Sequence, residues 1–159
     1  MLNHESNFLE QTANLWMALS LGCTVVYINS IKPSAISEAI KEEGVTIIVT
    51  VPAFLQLLKR NVESKLQSKG LKATLGNTIL KVTKYLPWQI SRKVSRPIRS
   101  QIGKELETFV VGGARLPEEV EAFWNNMGFR VIQGYGLTET SPIVTYSNKH
   151  ETKPKSVGK

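Results

Sequence analysis

A short segment that begins at Gly134 combines an aromatic ring, a hydroxyl and a carboxylate within a few positions. Tyr135 can stack on a flat base, Thr138 can donate a hydrogen bond to a phosphate oxygen, and Glu139 can bind a magnesium ion that bridges phosphates. The same residues also suit a plain glycine loop in which Thr138 caps a turn. The segment therefore predicts either a nucleotide site or a structural turn.

A second glycine turn, Gly112-Gly113-Ala114, lies about twenty residues earlier and follows a predicted strand. Glycine has no side chain, so a flat ligand can approach this backbone closely. Ligands in open α/β sheets bind outside the carboxyl ends of the strands, and two strands that both end in glycine turns would face one crevice. The alternative is an ordinary connection from a strand to a helix.

The elements that must position these turns follow from the spacing of apolar residues, which predicts helices alternating with strands. The predicted helices are 6–21, 33–43, one that begins at Pro52, further helices between 71 and 101, and 117–127. The predicted strands are 23–29, 45–51, 108–111 and 130–133. Such alternation indicates an α/β fold with a mostly parallel sheet flanked by helices. Cys23, the only cysteine, has apolar neighbours and is predicted to be buried.

The net charge of +7 is concentrated in residues 59–104, where Glu63 is the one acidic residue. This basic, helix-rich segment predicts either a solvated surface or a contact with an anionic partner. The chain contains no aspartate, so any metal chemistry must depend on glutamate. No apolar run is long enough to span a bilayer and the N-terminus lacks a signal-peptide pattern, which favours a cytoplasmic protein.

Several ordered motifs resemble those of the adenylate-forming (AMP-binding) superfamily, which includes acyl-CoA synthetases. The Gln133-to-Pro142 segment is similar to the Tyr-Gly-x-Thr-Glu signature, and its Gly-Leu-Thr-Glu-Thr-Ser-Pro sequence is similar to that of the family's fatty acid ligases. The Phe109-to-Pro117 segment resembles the Gly-Gly-Ala turn of the same family. Two shorter matches are Val49 to Pro52 and Ser156 to Lys159.

The resemblance implies a role for each matching residue. It implies that Tyr135 packs on adenine, that Thr138 contacts the phosphate, and that Glu139 binds Mg²⁺, so that Thr138 and Glu139 are the catalytic residues. The remaining nucleotide-binding and acyl-pocket positions that it implies are Gly112, Gly113, Ala114, Gly134 and Gly136.

The resemblance also implies a domain assignment. Residues 1–159 would be an internal fragment of one AMP-binding domain, with a basic helical insert at 59–104 and a loose tail at 148–159. The phosphate loop ending in Pro-Lys-Gly, the Thr-Gly-Asp motif and the catalytic lysine of the family are absent from the sequence. The chain alone is therefore expected to be inactive.

The implied reaction of the full enzyme uses ATP, Mg²⁺ and coenzyme A to convert a fatty acid first to an acyl-adenylate and then to a thioester. A related enzyme that transfers the acyl group to an acyl carrier protein fits the same motifs. The basic segment is compatible with a peripheral contact to a membrane surface or with an acyl carrier protein. A hypothesis of another class is a module that binds a membrane or nucleic acid through its basic helices; specific nucleic acid binding is not expected.

Overall fold

The computed structural model describes residues 16–28, 32–67, 78, 82–136 and 144–146. Within these ranges the helices are α1 (Met17–Ser20), α2 (Pro33–Glu42), α3 (Pro52–Gln67), α4 (Trp88–Val94), α5 (Arg96–Ile102) and α6 (Glu118–Asn126). The strands in the same ranges are β1 (Ile47–Thr50), β2 (Thr108–Val111), β3 (Arg130–Tyr135) and β4 (Thr145–Tyr146). The tail predicted at 148–159 lies outside the described residues.

The strands form a sheet in the order β1-β2-β3-β4. The β1–β2 and β2–β3 pairs are parallel, whereas β4 is antiparallel to β3. The register places Thr50 opposite Val111, and Val111 opposite Gln133. The carboxyl ends of the three parallel strands therefore lie at the same edge of the sheet. The prediction of an α/β fold with a mostly parallel sheet is confirmed.

An aromatic cluster forms the centre of the core between the sheet and α6. The Phe109 ring of β2 lies 5.0 Å from the Trp124 ring of α6 and 5.2 Å from the Phe129 ring. All three side chains are completely buried. Tilted and edge-on ring pairs at these centroid distances stabilise a core beyond the area that they bury. This cluster fixes α6 against one face of the sheet.

The end of α6 is set by Gly128, which has a φ of 76°. The Gly128 N–H donates to the Asn125 carbonyl and the Phe129 N–H donates to the Trp124 carbonyl, at 2.9 and 3.1 Å. These are the two hydrogen bonds of a Schellman motif, which requires a left-handed residue after the helix. A Cβ at Gly128 would lie 2.5 Å from the Arg92 Cα of α4. The backbone of α4 therefore packs directly on this turn.

Helices α4 and α5 attach to the core through a line of buried polar residues. The Ser95 hydroxyl lies within hydrogen-bonding distance of the Ser91 and Met127 carbonyls, at 2.7 and 2.5 Å. The Ser91 hydroxyl donates to the Thr83 carbonyl at 3.0 Å. Because these residues recur at helical spacing, they fix which face of α4 is buried.

Arg99 is an exception to both predictions for the basic residues of 59–104, a solvated surface or a contact with an anionic partner, because it is buried. Its side chain is only 5% exposed, it donates to the Leu106 carbonyl at 2.7 Å, and its guanidinium lies 4.6 Å from the centre of the Phe129 ring. Burial, with a smaller contribution from Arg92, lowers its pKa. The carbonyl and the ring compensate for the burial of the charge. Other parts of this segment, including Val62 and Ile98, also belong to the core.

The strand predicted at 23–29 is not observed at residues 23–28, which form no regular element. The Cys23 N–H instead donates to the Ala18 carbonyl at the end of α1, and Gly22 has a φ of 70°. This turn leaves Cys23 exposed, so the prediction that it is buried was wrong. A strand needs a hydrogen-bonded neighbour, and none of the described residues supplies one here. Of the helices that the structure describes, none is both long and apolar enough to cross a membrane.

Candidate functional site

The candidate site is the edge of the sheet where β1, β2 and β3 end. The Gly112 N–H continues the β1–β2 ladder by donating to the Thr50 carbonyl at 3.1 Å. Tyr135 is the last residue of β3, and β3 lies next to β2. The structure therefore brings the Gly112-to-Ala114 turn and the Gly134-to-Gly136 segment to adjacent strand ends, as the sequence predicted.

The Gly112-Gly113-Ala114 turn leaves β2 in a conformation that favours glycine. Gly113 has a φ of 81°, and a Cβ at this position would lie 3.7 Å from the Val51 Cγ1 atom. The contact itself would be tolerated, so the backbone conformation is what selects glycine here. Gly113 and Ala114 are exposed, while Gly112 is buried. The turn thus exposes backbone at the edge of the sheet.

The second segment differs from the predicted turn because β3 continues through Gly134 and Tyr135 rather than ending at Gln133. The reason is β4, in which Thr145 and Tyr146 pair with these two residues. The Val144 N–H also donates to the Tyr135 carbonyl at 2.9 Å. The Tyr135 backbone is held by this pairing, whereas its side chain is 51% exposed. An aromatic ring on a fixed backbone is suited to stacking on a flat ligand.

The Glu121 carboxylate of α6, which was not predicted as a site residue, contacts β3 next to this edge of the sheet. Gln133 Nε2 donates to Glu121 Oε2 of α6 at 2.8 Å. Burial raises the pKa of Glu121, and Glu118 contributes in the same direction, while the hydrogen bond from Gln133 opposes the shift. The signal in the sequence was the position of Glu121 three residues before Trp124, which places it near the buried face of the helix.

The Glu121→Gln variant is expected to be more stable than the unchanged protein at neutral pH. Because the folded-state pKa of Glu121 is raised, its contribution to stability is present below the unfolded value of about 4.5 and is lost as the pH rises through the folded value. Glutamine keeps an acceptor for Gln133 and carries no charge. We expect a Tm increase of about 1–2 °C at pH 7 and none at pH 4.

Thermal unfolding of both proteins between pH 4 and pH 8 measures this effect. Glu119→Gln is the matched control, since the Glu119 side chain is 78% exposed. Equal pH profiles for Glu121→Gln and the unchanged protein would contradict the assignment of a raised pKa.

Two of the predicted site residues, Thr138 and Glu139, lie outside the described residues. The predicted catalytic roles and the predicted magnesium ligand therefore stay predictions. Gly112, Gly113, Ala114, Gly134, Tyr135 and Gly136 are described, and they lie at the two adjacent strand ends. Their arrangement fits a flat, planar ligand, because bare backbone stands on one strand and an exposed aromatic ring on the next.

Two known proteins are similar to this chain in sequence. The chain is 34% identical over 122 residues to "Probable acyl-activating enzyme 16, chloroplastic" of Arabidopsis thaliana, covering 70% of this chain and 17% of that protein. It is 54% identical over 41 residues to a "Long-chain-fatty-acid--CoA ligase" of Thermus thermophilus, which covers 26% of this chain and 8% of that protein. The chain therefore spans less than a fifth of the length of these relatives.

Solved structures show the same fold. A long-chain-fatty-acid-CoA ligase, FadD1, from Archaeoglobus fulgidus aligns with a TM-score of 0.51 and 18% identity, over 84% of this chain and 22% of that one. The family model described as "AMP-binding enzyme" matches residues 6–159. This match includes both strand ends of the candidate site and nearly the whole chain. The chain belongs to the AMP-binding enzyme family, the adenylate-forming superfamily.

Proposed function

We propose that this chain forms part of the adenylate site of an ATP-dependent acyl-activating enzyme that converts a long-chain fatty acid to its coenzyme A thioester. The observation that carries the proposal is the adjacency of two strand ends, with the Gly112-to-Ala114 turn on β2 and Tyr135 on β3. The names of the relatives in Thermus thermophilus and Archaeoglobus fulgidus support the fatty acid as substrate and coenzyme A as acceptor.

The proposed ligand arrangement places adenine against the Tyr135 ring and along the Gly112-to-Ala114 backbone. Gly113 allows close approach because no side chain projects from it, and its φ of 81° disfavours any replacement. Gly134 and Gly136 would border the acyl group. Glu121 would act indirectly, because its hydrogen bond orients Gln133, the residue just before Gly134.

The proposed reaction has two steps. In the first, the fatty acid carboxylate attacks the α-phosphorus of ATP, the bond to the β-phosphate oxygen breaks, and pyrophosphate leaves. In the second, the coenzyme A thiol loses its proton and attacks the acyl carbon, and AMP leaves. Charge develops on phosphate oxygens in the first step, so donors and Mg²⁺ at those oxygens would lower its barrier. Thr138 and Glu139 are the residues that we propose for these two roles.

Loss of the Tyr135 ring is expected to weaken binding of an adenylate. Stacking of a base on an aromatic side chain contributes about 1–3 kcal/mol, so Tyr135→Ala should weaken the affinity for a non-hydrolysable acyl-adenylate analogue by about 5- to 150-fold. Tyr135→Phe keeps the ring and should bind within about threefold of the unchanged chain. Calorimetric titration with Mg²⁺ present measures both effects.

Tyr85→Ala is the matched control, because Tyr85 is also exposed and does not belong to the candidate site. Circular dichroism should first show that every variant is folded. Equal affinity of Tyr135→Ala and Tyr85→Ala, or no saturable binding by the folded chain, would contradict the proposed adenylate site.

A further inference from the structure

Three arginines interact with one carboxylate at the edge of the sheet opposite the candidate site. Glu107 immediately precedes β2 and Arg130 is the first residue of β3. The Arg130 N–H donates to the Glu107 carbonyl at 2.9 Å. The candidate site lies at the other ends of the same two strands. Five residues of a strand span about 17 Å, so the length of the sheet separates the two places.

The electrostatics of this group leave an excess of positive charge. A hydrogen bond from Arg92 is the largest of the causes that lower the pKa of Glu107. The charges of Arg130 and Arg99 act in the same direction. No other carboxylate of the described ranges forms an ion pair with any of the three arginines. We call Arg92, Arg99, Arg130 and Glu107 the guanidinium cluster; its three positive charges and one negative charge leave a net charge of +2.

The Trp88 ring holds two of these cations in place. Trp88 and Arg92 are four residues apart on α4, so their side chains lie on the same face of the helix. The Arg92 guanidinium lies 5.5 Å from the centre of the Trp88 ring, and the Arg130 guanidinium lies 4.8 Å from it. An arginine that stacks on an aromatic ring keeps its in-plane N–H groups for an oxyanion. One ring therefore fixes both guanidiniums.

The Arg130 side chain has no polar partner within the part of the chain that the structure describes. Its Nε atom is buried without a hydrogen bond, and its guanidinium forms no ion pair. Arg99 has only neutral partners, the Leu106 carbonyl and the Phe129 ring. Neutral partners lower the cost of burying a cation but leave its charge uncompensated. Arg92 and Arg130 are only partly buried, so both are in contact with solvent.

We propose that Arg92 and Arg130 bind the phosphate group of a soluble phosphate monoester. The planar fork of N–H donors on arginine matches the spacing of phosphate oxygens. A monoester carries a charge of about −1.5 to −2 at neutral pH, which matches the excess charge of the guanidinium cluster. The cluster shares no residue with the candidate site, so this inference is independent of the proposed function.

The excess charge favours a monoester over a phosphate diester. A diester, as in nucleic acid and in phospholipids, carries one negative charge per phosphate and would leave one cation of the cluster uncompensated. The half-buried position of Arg92 and Arg130 also favours a small ligand, because two guanidiniums held on one ring offer a single binding place. The chemical class that fits both observations is a small dianionic phosphate.

Glu107 is expected to oppose binding of such a ligand. Its carboxylate is paired with Arg92 and competes with the phosphate for the same donors. The Glu107 side chain is 40% exposed, so it has room to turn toward solvent when the phosphate binds. Removal of its negative charge should therefore strengthen phosphate binding. An ion pair with a purely structural role would give no such gain.

NMR titration of the whole chain, followed by the indole N–H signal of Trp88, tests the proposal. The Trp88→Phe variant identifies this signal among the three tryptophans. At constant ionic strength, methyl phosphate should saturate the signal with a dissociation constant on the order of 1 mM. Dimethyl phosphate, the matched diester, should bind at least about tenfold more weakly because it carries less charge.

Substitutions within the cluster should change the affinity for methyl phosphate in opposite directions. Arg130→Gln should weaken binding by about tenfold or more, since it removes charge-assisted hydrogen bonds. Arg130→Lys keeps the charge without the planar fork and should weaken binding by about three- to tenfold, which keeps the test usable if the glutamine variant does not fold. Glu107→Gln should bind about three- to tenfold more tightly. Arg60→Gln, the control at an exposed position, should stay within about twofold of the unchanged chain.

Tyr135→Ala should bind methyl phosphate as well as the unchanged chain does, which separates this proposal from the proposed adenylate site. Equal affinity for methyl phosphate and dimethyl phosphate would show attraction to positive charge alone and would overturn the proposal. Equal affinities of Arg130→Gln and Arg60→Gln, weaker binding by folded Glu107→Gln, or no saturation by the folded chain would also overturn it.

Discussion

The Gly128→Ala variant is expected to lose about 3–5 kcal/mol of the free energy of unfolding, a large share of the stability of a domain of this size. Two costs combine. Alanine is disfavoured at a φ of 76° by about 1–2 kcal/mol. Its Cβ would also lie 2.5 Å from the Arg92 Cα and 2.8 Å from the Arg92 nitrogen, so the backbone of α4 must move.

The chain supplies a control that separates these two costs. Gly44 has a φ of 62°, but a Cβ at this position meets no atom within 4 Å. Gly44→Ala should therefore show only the conformational cost, about 1–2 kcal/mol. Urea denaturation of both variants measures the difference, which reports the contact between the Gly128 turn and α4. Equal destabilisation of the two variants would show that α4 does not pack on this turn in solution.

Phe109→Ala is expected to cost about 3–5 kcal/mol, because it leaves a cavity at the centre of the core. The Phe109 side chain is completely buried and its ring contacts both Trp124 and Phe129. Phe109→Leu retains most of the volume and should cost about 1–2 kcal/mol. The smaller change keeps the experiment informative if the alanine variant does not fold.

Tyr85→Ala is the control for loss of an aromatic side chain, because Tyr85 is 82% exposed. It should change the free energy of unfolding by no more than about 0.5 kcal/mol. Chemical denaturation monitored by tryptophan fluorescence reports the Phe109 variants directly, since Trp124 lies 5.0 Å from that ring. If Phe109→Ala were as stable as Tyr85→Ala, the aromatic cluster would not be the centre of the core.

The β2 strand shows how far the sequence alone predicts the fold. The apolar run Thr108–Val111 ends at Gly112, and the structure has β2 with the same bounds. Local pattern was sufficient because a buried parallel strand is continuously apolar and glycine terminates it. The prediction of a strand at 23–29 was wrong because an apolar run forms a strand only when a neighbouring strand pairs with it, and the local sequence does not specify that neighbour.

The sequence predicted that the two glycine segments lie at adjacent strand ends, but not how the second segment is paired; the binding roles of their residues stay predictions. The Gly112-to-Ala114 turn and Tyr135 were identified from residue type and spacing, and adjacent parallel strands place them at one edge of the sheet. The continuation of β3 through Tyr135 was missed because it depends on pairing with β4. The hydrogen bond between Glu121 and Gln133 was missed because it joins a helix to a strand.

The sequence by itself determined the alternation of helices and strands, the two glycine segments and the concentration of positive charge, because these depend on residue type and local spacing. The tertiary structure decided which of these cations are exposed and which are buried. Arg99 and Lys93 are both basic residues of one segment, yet one is buried on the Phe129 ring and the other is exposed. Burial depends on contacts between residues distant in sequence, such as Ser95 with Met127, and local spacing carries no information about them.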